Sequence, residues 1–194
     1  MLSKYGTKAP VFAKPTLSNH KIYFLSSDDV LYCLDASTGK WLWHYKRSIS
    51  FVTTVHGNST PVIEDNKVYV GFSDGFATAL NASDGNLKWE TKIHSSSKFT
   101  DVDAMAVIDG NTLYIPSYDG GLYALDKNIG KILWKVDVGS SKKVLIDGRF
   151  LYLGSSDGYV YALNKENGRI LWKFQLDDGT PTNLALFQNY LAFG

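Results

Sequence analysis

Short apolar runs, each closed by a polar turn, fill this chain from end to end. The stretch from 61 to 90 shows the pattern clearly. Pro61-Val62-Ile63 precedes a turn at Asp65-Asn66, and Val68-Tyr69-Val70-Gly71-Phe72 leads to an Asp74-Gly75 turn. Phe76-Ala77-Thr78-Ala79-Leu80 follows, and after Gly85 comes Leu87-Lys88-Trp89-Glu90. Val, Ile, Tyr and Phe dominate the runs, as pleated half-buried surfaces prefer. Glycine in the turns takes positive φ without a steric penalty, which suits tight hairpins. No segment carries a sustained 3.6-residue apolar period, so the pattern predicts strands and almost no helix.

The pattern recurs. Leu34-Asp35-Ala36-Ser37-Thr38-Gly39-Lys40-Trp41-Leu42-Trp43 aligns without gaps with the segments beginning at Leu80, Leu125 and Leu163. The aligned glycines are Gly39, Gly85, Gly130 and Gly168, giving periods of 46, 45 and 38 residues. A second landmark lies upstream of each: Ser27-Asp28-Asp29, Ser73-Asp74-Gly75, Tyr118-Asp119-Gly120 and Ser156-Asp157-Gly158. Its aspartates keep the same spacings. Units of about 40–50 residues with four strands each are the blades of a β-propeller. The expected fold is therefore all-β, with four complete antiparallel blades and the start of a fifth. Blades are expected at about 10–47, 57–94, 103–138 and 142–176, with a partial one at 180–194, in one propeller domain.

Trp43, Trp89, Trp134 and Trp172 each stand four residues after the turn glycine. One ring at the same place in every unit predicts packing onto a neighbouring blade, with the indole N–H reaching a backbone carbonyl.

Composition narrows the function. The chain has 194 residues, a formal net charge of +1 and 44% hydrophobic residues. So balanced a charge disfavours nucleic acid, which is held by a basic face. No apolar run reaches the roughly 18–20 residues that span a bilayer. The single cysteine, Cys33, excludes an internal disulfide and reads as a small buried hydrophobe. No signal-type run precedes it, so it is not expected to carry lipid. His20, His44, His56 and His94 lack metal-ligand spacing and read as surface or turn residues. No nucleophile elbow is present, and no cofactor or metal set is expected.

The pattern Ala-x-x-Gly-Lys-x-x-Trp preceded by Tyr-x-Leu-Asp resembles the pyrroloquinoline-quinone-type propeller repeat, most clearly at Tyr32 to Trp43, Tyr123 to Trp134 and Tyr161 to Trp172. Two stretches outside the repeat resemble the propeller lipoprotein of the bacterial outer-membrane β-barrel assembly machinery (BamB-type). They are Ser48 to Pro61, and Phe99-Thr100-Asp101-Val102-Asp103-Ala104. In that family a Leu-x-Leu-Arg-Gly-x-Ser-Ala-Pro segment and a Ser-Asp-Val-Asp segment dock on the periplasmic domains of the barrel-forming subunit. The resemblance places Thr53 and Val55 at the two Leu positions, His56 at the Arg position, and Asp101 and Asp103 at the acidic positions. Arg to His56 replaces a permanent planar charge by a group that titrates near neutrality. Leu to Thr53 removes an apolar anchor.

The resemblance implies a non-enzymatic scaffold that binds a protein partner in the periplasm, associated with the outer membrane. The alternatives are a generic periplasmic propeller for solute binding or sensing, and a fragment of a quinone-dependent dehydrogenase. The dehydrogenase would need a calcium ligand set and a catalytic Asp, and often a vicinal disulfide that one cysteine cannot form. Eight blades are usual in the assembly-factor family. Four and a half predict either a fragment or two copies that complete a larger ring by self-association.

Overall fold

The computed structural model describes residues 6–47, 59–93, 102, 104–118, 121–188 and 190–194. Among them there is no helix, and hence none long and apolar enough to cross a membrane.

The first blade comprises β1 (Thr16–Ser18), β2 (Lys21–Leu25), β3 (Val30–Asp35) and β4 (Trp41–Lys46). The second holds β5 (Val62–Glu64), β6 (Lys67–Gly71), β7 (Phe76–Asn81) and β8 (Leu87–Lys92). The third holds β9 (Val107–Asp109), β10 (Thr112–Ser117), β11 (Gly121–Asp126) and β12 (Ile132–Val136). The fourth holds β13 (Leu145–Asp147), β14 (Phe150–Gly154), β15 (Tyr159–Asn164) and β16 (Ile170–Gln175). The hairpin β17 (Ala185–Phe187) and β18 (Tyr190–Ala192) follows. Each sheet pairs its strands in chain order, all antiparallel. This is the all-β architecture of four-stranded blades expected from the repeat.

Turn chemistry fixes the register. Asn19-His20 and Asp65-Asn66 hold positive φ at both positions and close two-residue hairpins between the first two strands of their blades, the twist such turns require. Between the third and fourth strands, Asp35, Asn81, Asp126 and Asn164 cap the turn. Each offers its side-chain oxygen to the backbone N–H two residues on, at 2.7–3.0 Å. The glycine at φ +66 to +74 then turns the chain back. Just beyond, all four blades slip register at one place, between Cys33/Leu34, Ala79/Leu80, Ala124/Leu125 and Ala162/Leu163. Pro116 fits inside β10 because β9 pairs with that strand only up to Tyr114, so no bond to β9 needs its missing N–H.

The repeated turns define two faces. On one, the turns closing the last hairpin bond back to those closing the first: Ala36 N–H to the His20 carbonyl at 2.8 Å, Ala82 to Asn66 at 2.9 Å, Lys127 to Asn111 at 2.9 Å. From this turn face Trp43, Trp89 and Trp134 cross to the next blade, whereas Trp172, expected to do the same, is 44% exposed because only the short β17–β18 hairpin follows its blade. Trp43 donates to the Ala82 carbonyl at 3.2 Å, Trp89 to Lys127 at 2.9 Å and Trp134 to Lys165 at 3.1 Å. Each ring lies against the next blade's glycine, Gly85, Gly130 or Gly168, where a β-carbon would come within 2.5–2.7 Å of the ring. Lys127 and Lys165 also reach back: Lys127 Nζ pairs with Glu64 at 2.6 Å and Asp65 at 2.9 Å, and Lys165 with Asp109.

On the opposite face lie the turns between second and third strands and the links between blades. Ile93 N–H donates to the Gly75 carbonyl at 2.9 Å, and Leu176 to Gly158 at 3.0 Å. Between the faces, three apolar clusters fill the seams. The first seam contains Tyr23, Leu31, Cys33, Trp43, Val70 and Phe72. Cys33 is fully buried, and burial pushes its thiol up to about 11, so it stays protonated and unreactive near neutral pH.

Candidate functional site

The five residues singled out for partner binding, Thr53, Val55, His56, Asp101 and Asp103, lie outside the described residues, as do His94 and the Asp119-Gly120 turn. The structure does place the residues that frame them, and these meet on the loop face.

Ser59 and Ala104 are the first described residues after the site candidates of the two segments, and they touch. The Ser59 hydroxyl donates to the Ala104 carbonyl at 3.5 Å and accepts the Gly71 N–H at 3.3 Å. Gly71 ends β6, and a β-carbon there would come 2.7 Å from the Val102 carbonyl oxygen. The absence of a side chain lets Val102, itself fully buried, lie directly on the strand. One glycine and one serine thus join the borders of two segments some 45 residues apart.

Arg47 borders the first segment on its other side, immediately after β4. Its Nε donates to Asp74 Oδ2 at 2.7 Å, and its second nitrogen pairs with Glu90 on β8. The guanidinium lies 4.0 Å from the centre of the Phe76 ring, a cation–π contact. Burial works against the guanidinium's charge, but the bonds it donates to Asp74 and Glu90 outweigh this and hold the Arg47 pKa above its ordinary value. Ile93 and Val138, four residues after Trp89 and Trp134, occupy the same repeat position as Arg47, and both are buried. The first seam therefore carries an ion cluster where the next two carry aliphatic side chains. Sequence reasoning missed Arg47, although its departure from the repeat was the available signal.

Asp29 departs as well. It stands where Gly75 and Gly158 stand in later blades, and it keeps their left-handed backbone, with φ +57. Its carboxylate is 3% exposed and reaches across the seam to Ser73, accepting the backbone N–H at 3.3 Å and the hydroxyl. Burial raises its pKa; the Ser73 bonds oppose this, and Asp74 and Asp28 add to it.

On the same face a cleft of about 400 Å³ opens between the third and fourth blades, lined by Tyr118, Asp137, Gly139, Ser156 and Asp157. Asp157 is engaged there, accepting the Tyr159 N–H at 3.1 Å and the Tyr161 hydroxyl at 2.7 Å. His20 and His44 are exposed, His20 in its turn and His44 on β4, edge-on to Trp41 at 4.8 Å. Among the described residues no three His, Cys, Asp or Glu side chains gather as metal ligands. The arrangement holds the borders of the two segments in a fixed relation on one face.

The family described as outer membrane protein assembly factor BamB matches residues 4–174. Among solved structures the chain is similar to BamB from Moraxella catarrhalis, with a TM-score of 0.87 and 24% identity over 98% of this chain and 60% of that one. It is also similar to quinohemoprotein alcohol dehydrogenases. For the Pseudomonas putida enzyme the TM-score is 0.71 at 18% identity, over 89% of this chain and 35% of that one. For the Comamonas testosteroni enzyme it is 0.74 at 18% identity, over 86% and 35%. At these identities the likenesses show the fold alone, and the chain spans 60% of the length of the Moraxella protein. Comparison with curated proteins gives no match.

Proposed function

This chain belongs to the outer membrane protein assembly factor BamB family, and from that premise we propose that it is a non-enzymatic scaffold of outer-membrane β-barrel assembly. It works in the periplasm, associated with the outer membrane, by binding the periplasmic domains of the barrel-forming subunit. The loop face is the docking face, and Thr53, Val55, His56, Asp101 and Asp103 make the contacts. The observation that supports this reading is the junction of Ser59, Gly71, Val102 and Ala104. It ties the borders of both segments to one strand end, so that one partner surface can meet both.

The chemistry follows from the residue types. Val55 supplies apolar area, and Asp101 and Asp103 supply acceptors for a partner's N–H groups or cations, which fix orientation more than they add affinity. Each segment alone is a small contact, but with their borders joined at one strand end both can meet the same partner surface, and holding those borders together reduces the freedom lost on binding.

Replacing Asp101 and Asp103 together by Ala is expected to weaken capture of the partner's periplasmic domains in a pull-down, with far-UV circular dichroism unchanged. Undiminished capture by the folded variant overturns the site.

A further inference from the structure

Among the described residues, the seam between the first two blades holds a buried carboxylate with no cation paired to it. Asp29 has two described hydrogen bonds, both from Ser73. The charged and titratable groups around it are few. Asp28, on its own turn, accepts the Ser26 hydroxyl at 2.5 Å. Asp74, on the facing turn, is held by Arg47 from the end of β4. Glu90 on β8 takes the other side of Arg47, and Tyr45 on β4 adjoins that group. The Arg47 guanidinium is thus committed to Asp74 and Glu90, and Asp29 faces two like charges.

We propose that this seam is a proton-sensitive latch, in which Asp29 takes up the proton and Ser73 carries the effect into the facing turn. With Asp29 ionised, both oxygens accept from Ser73, and a buried negative charge lies beside Asp28 and Asp74. Buried charge lacking a cation is the costly case. With Asp29 protonated, Oδ1 still accepts the Ser73 N–H. The new O–H donates to the Ser73 oxygen, and the serine's own hydroxyl proton rotates away from the carboxyl. Both links survive, and the buried charge and its repulsion disappear. The seam is tighter in the acidic form and looser once Asp29 ionises. The upward pKa shift that burial imposes is in keeping with this geometry.

The sign is fixed by linkage. A carboxyl that binds its proton more tightly folded than unfolded contributes stability fully present below the unfolded value, near 3.9, and lost as pH rises through the folded one. The latch does not depend on what docks on the loop face.

The test is a carboxyl ¹³C titration of Asp29 in the full chain, read beside hydrogen exchange at the Ser73 amide. The Asp29 midpoint is expected above that of an ordinary Asp. Ser73 protection, corrected for the intrinsic pH dependence of exchange, should fall as pH passes through the same midpoint. Ser73→Ala, which removes one of the bonds that favour the ionised form, should raise the midpoint further. Asp29→Asn should leave Ser73 protection flat. A midpoint at or below the ordinary value overturns the latch, as does Ser73 protection that changes in parallel in wild type and Asp29→Asn. The titration needs no variant, so a substitution that fails to fold does not remove the test.

Discussion

Gly130 offers a sharp measurement of what the recurring tryptophan does. Its φ of +72 is left-handed, and a β-carbon there would lie 2.5 Å from Trp89 Cε3, 2.6 Å from Cδ2 and 2.7 Å from Thr91 Oγ1. The cost of Gly130→Ala divides into parts. A left-handed alanine costs about 1–2 kcal/mol. Forcing a methyl group against a ring that cannot yield without moving costs about 1–3 kcal/mol more. A shifted ring also strains the 2.9 Å bond from Trp89 N–H to the Lys127 carbonyl, worth about 1 kcal/mol.

Gly148 provides the reference, because it shares the left-handed backbone, at φ +53, and a β-carbon there would meet nothing within 4 Å. Gly148→Ala therefore carries the conformational cost alone. The two variants should differ by about 2 kcal/mol, and with a urea slope of about 2 kcal/mol/M this separates their midpoints by about 1 M. Urea unfolding followed by far-UV circular dichroism reads the difference directly. Midpoints agreeing to within about 0.3 M would refute the claim that the ring-on-glycine contact holds the blades together, leaving only backbone strain to explain the repeat.

Two further outcomes test the seams. Arg47→Leu leaves Asp74 buried without its cation and should destabilise the chain by about 3 kcal/mol, the low end for breaking a buried pair, since Glu90 keeps some exposure. Adding Asp74→Asn should recover more than half of that loss, and strictly additive effects in a double-mutant cycle would show that the two residues are uncoupled. Lys127 hydrogen-bonds Glu64 and Asp65, which hold its pKa above the ordinary lysine value. Stability from this clamp is complete below the unfolded pKa, near 10.4, and is lost as pH rises through the folded one. Melting temperature should therefore fall more steeply above pH 10 in wild type than in Lys127→Met, and identical slopes would remove the clamp's role.

Much of the fold was legible because the repeat is written in residues whose roles are backbone-determined. Gly85 and Gly130 must be glycine to hold left-handed turns under a ring, and Asp35 and Asn81 must offer a short acceptor to the turn's own N–H groups. Such demands recur identically in each blade, so they surface as a period. Other features left no trace of this kind. The register slip at Ala79/Leu80 is a matter of hydrogen-bond phase, to which Ala and Leu are indifferent. The Asn19-His20 hairpin lacks glycine altogether, although Asn tolerates positive φ better than most residues. The partner of Lys127 lies 62 residues away in the preceding blade, and no local pattern encodes so distant a pairing.

The candidate site was legible only through its departures, and the reason is physical. A repeat makes its seams interchangeable, since each blade offers the next one ring and one aliphatic residue at the end of its outer strand, and a glycine recurs in the turn between second and third strands. Whatever distinguishes one part of the face from another must break that sameness. Two of the breaks fall in the first seam, Arg47 in place of the aliphatic residue and Asp29 in place of the glycine. Both replace a neutral group by a charge at a position the repeat buries. The substitution is costly for packing alone, because apolar side chains of similar volume would hold the seam at least as well. What charges add is direction: Arg47 ties the end of the first blade to Asp74 and Glu90 of the second. An aliphatic seam resists separation but tolerates sliding, whereas this one fixes the first blade's angle on the second. Arg47 lies directly beside the segment that contains Thr53, Val55 and His56, and Ser59 ties the far end of that segment to Gly71 and Ala104. Fixing the blade angle thus fixes the spacing between the two borders that the proposed partner would have to span.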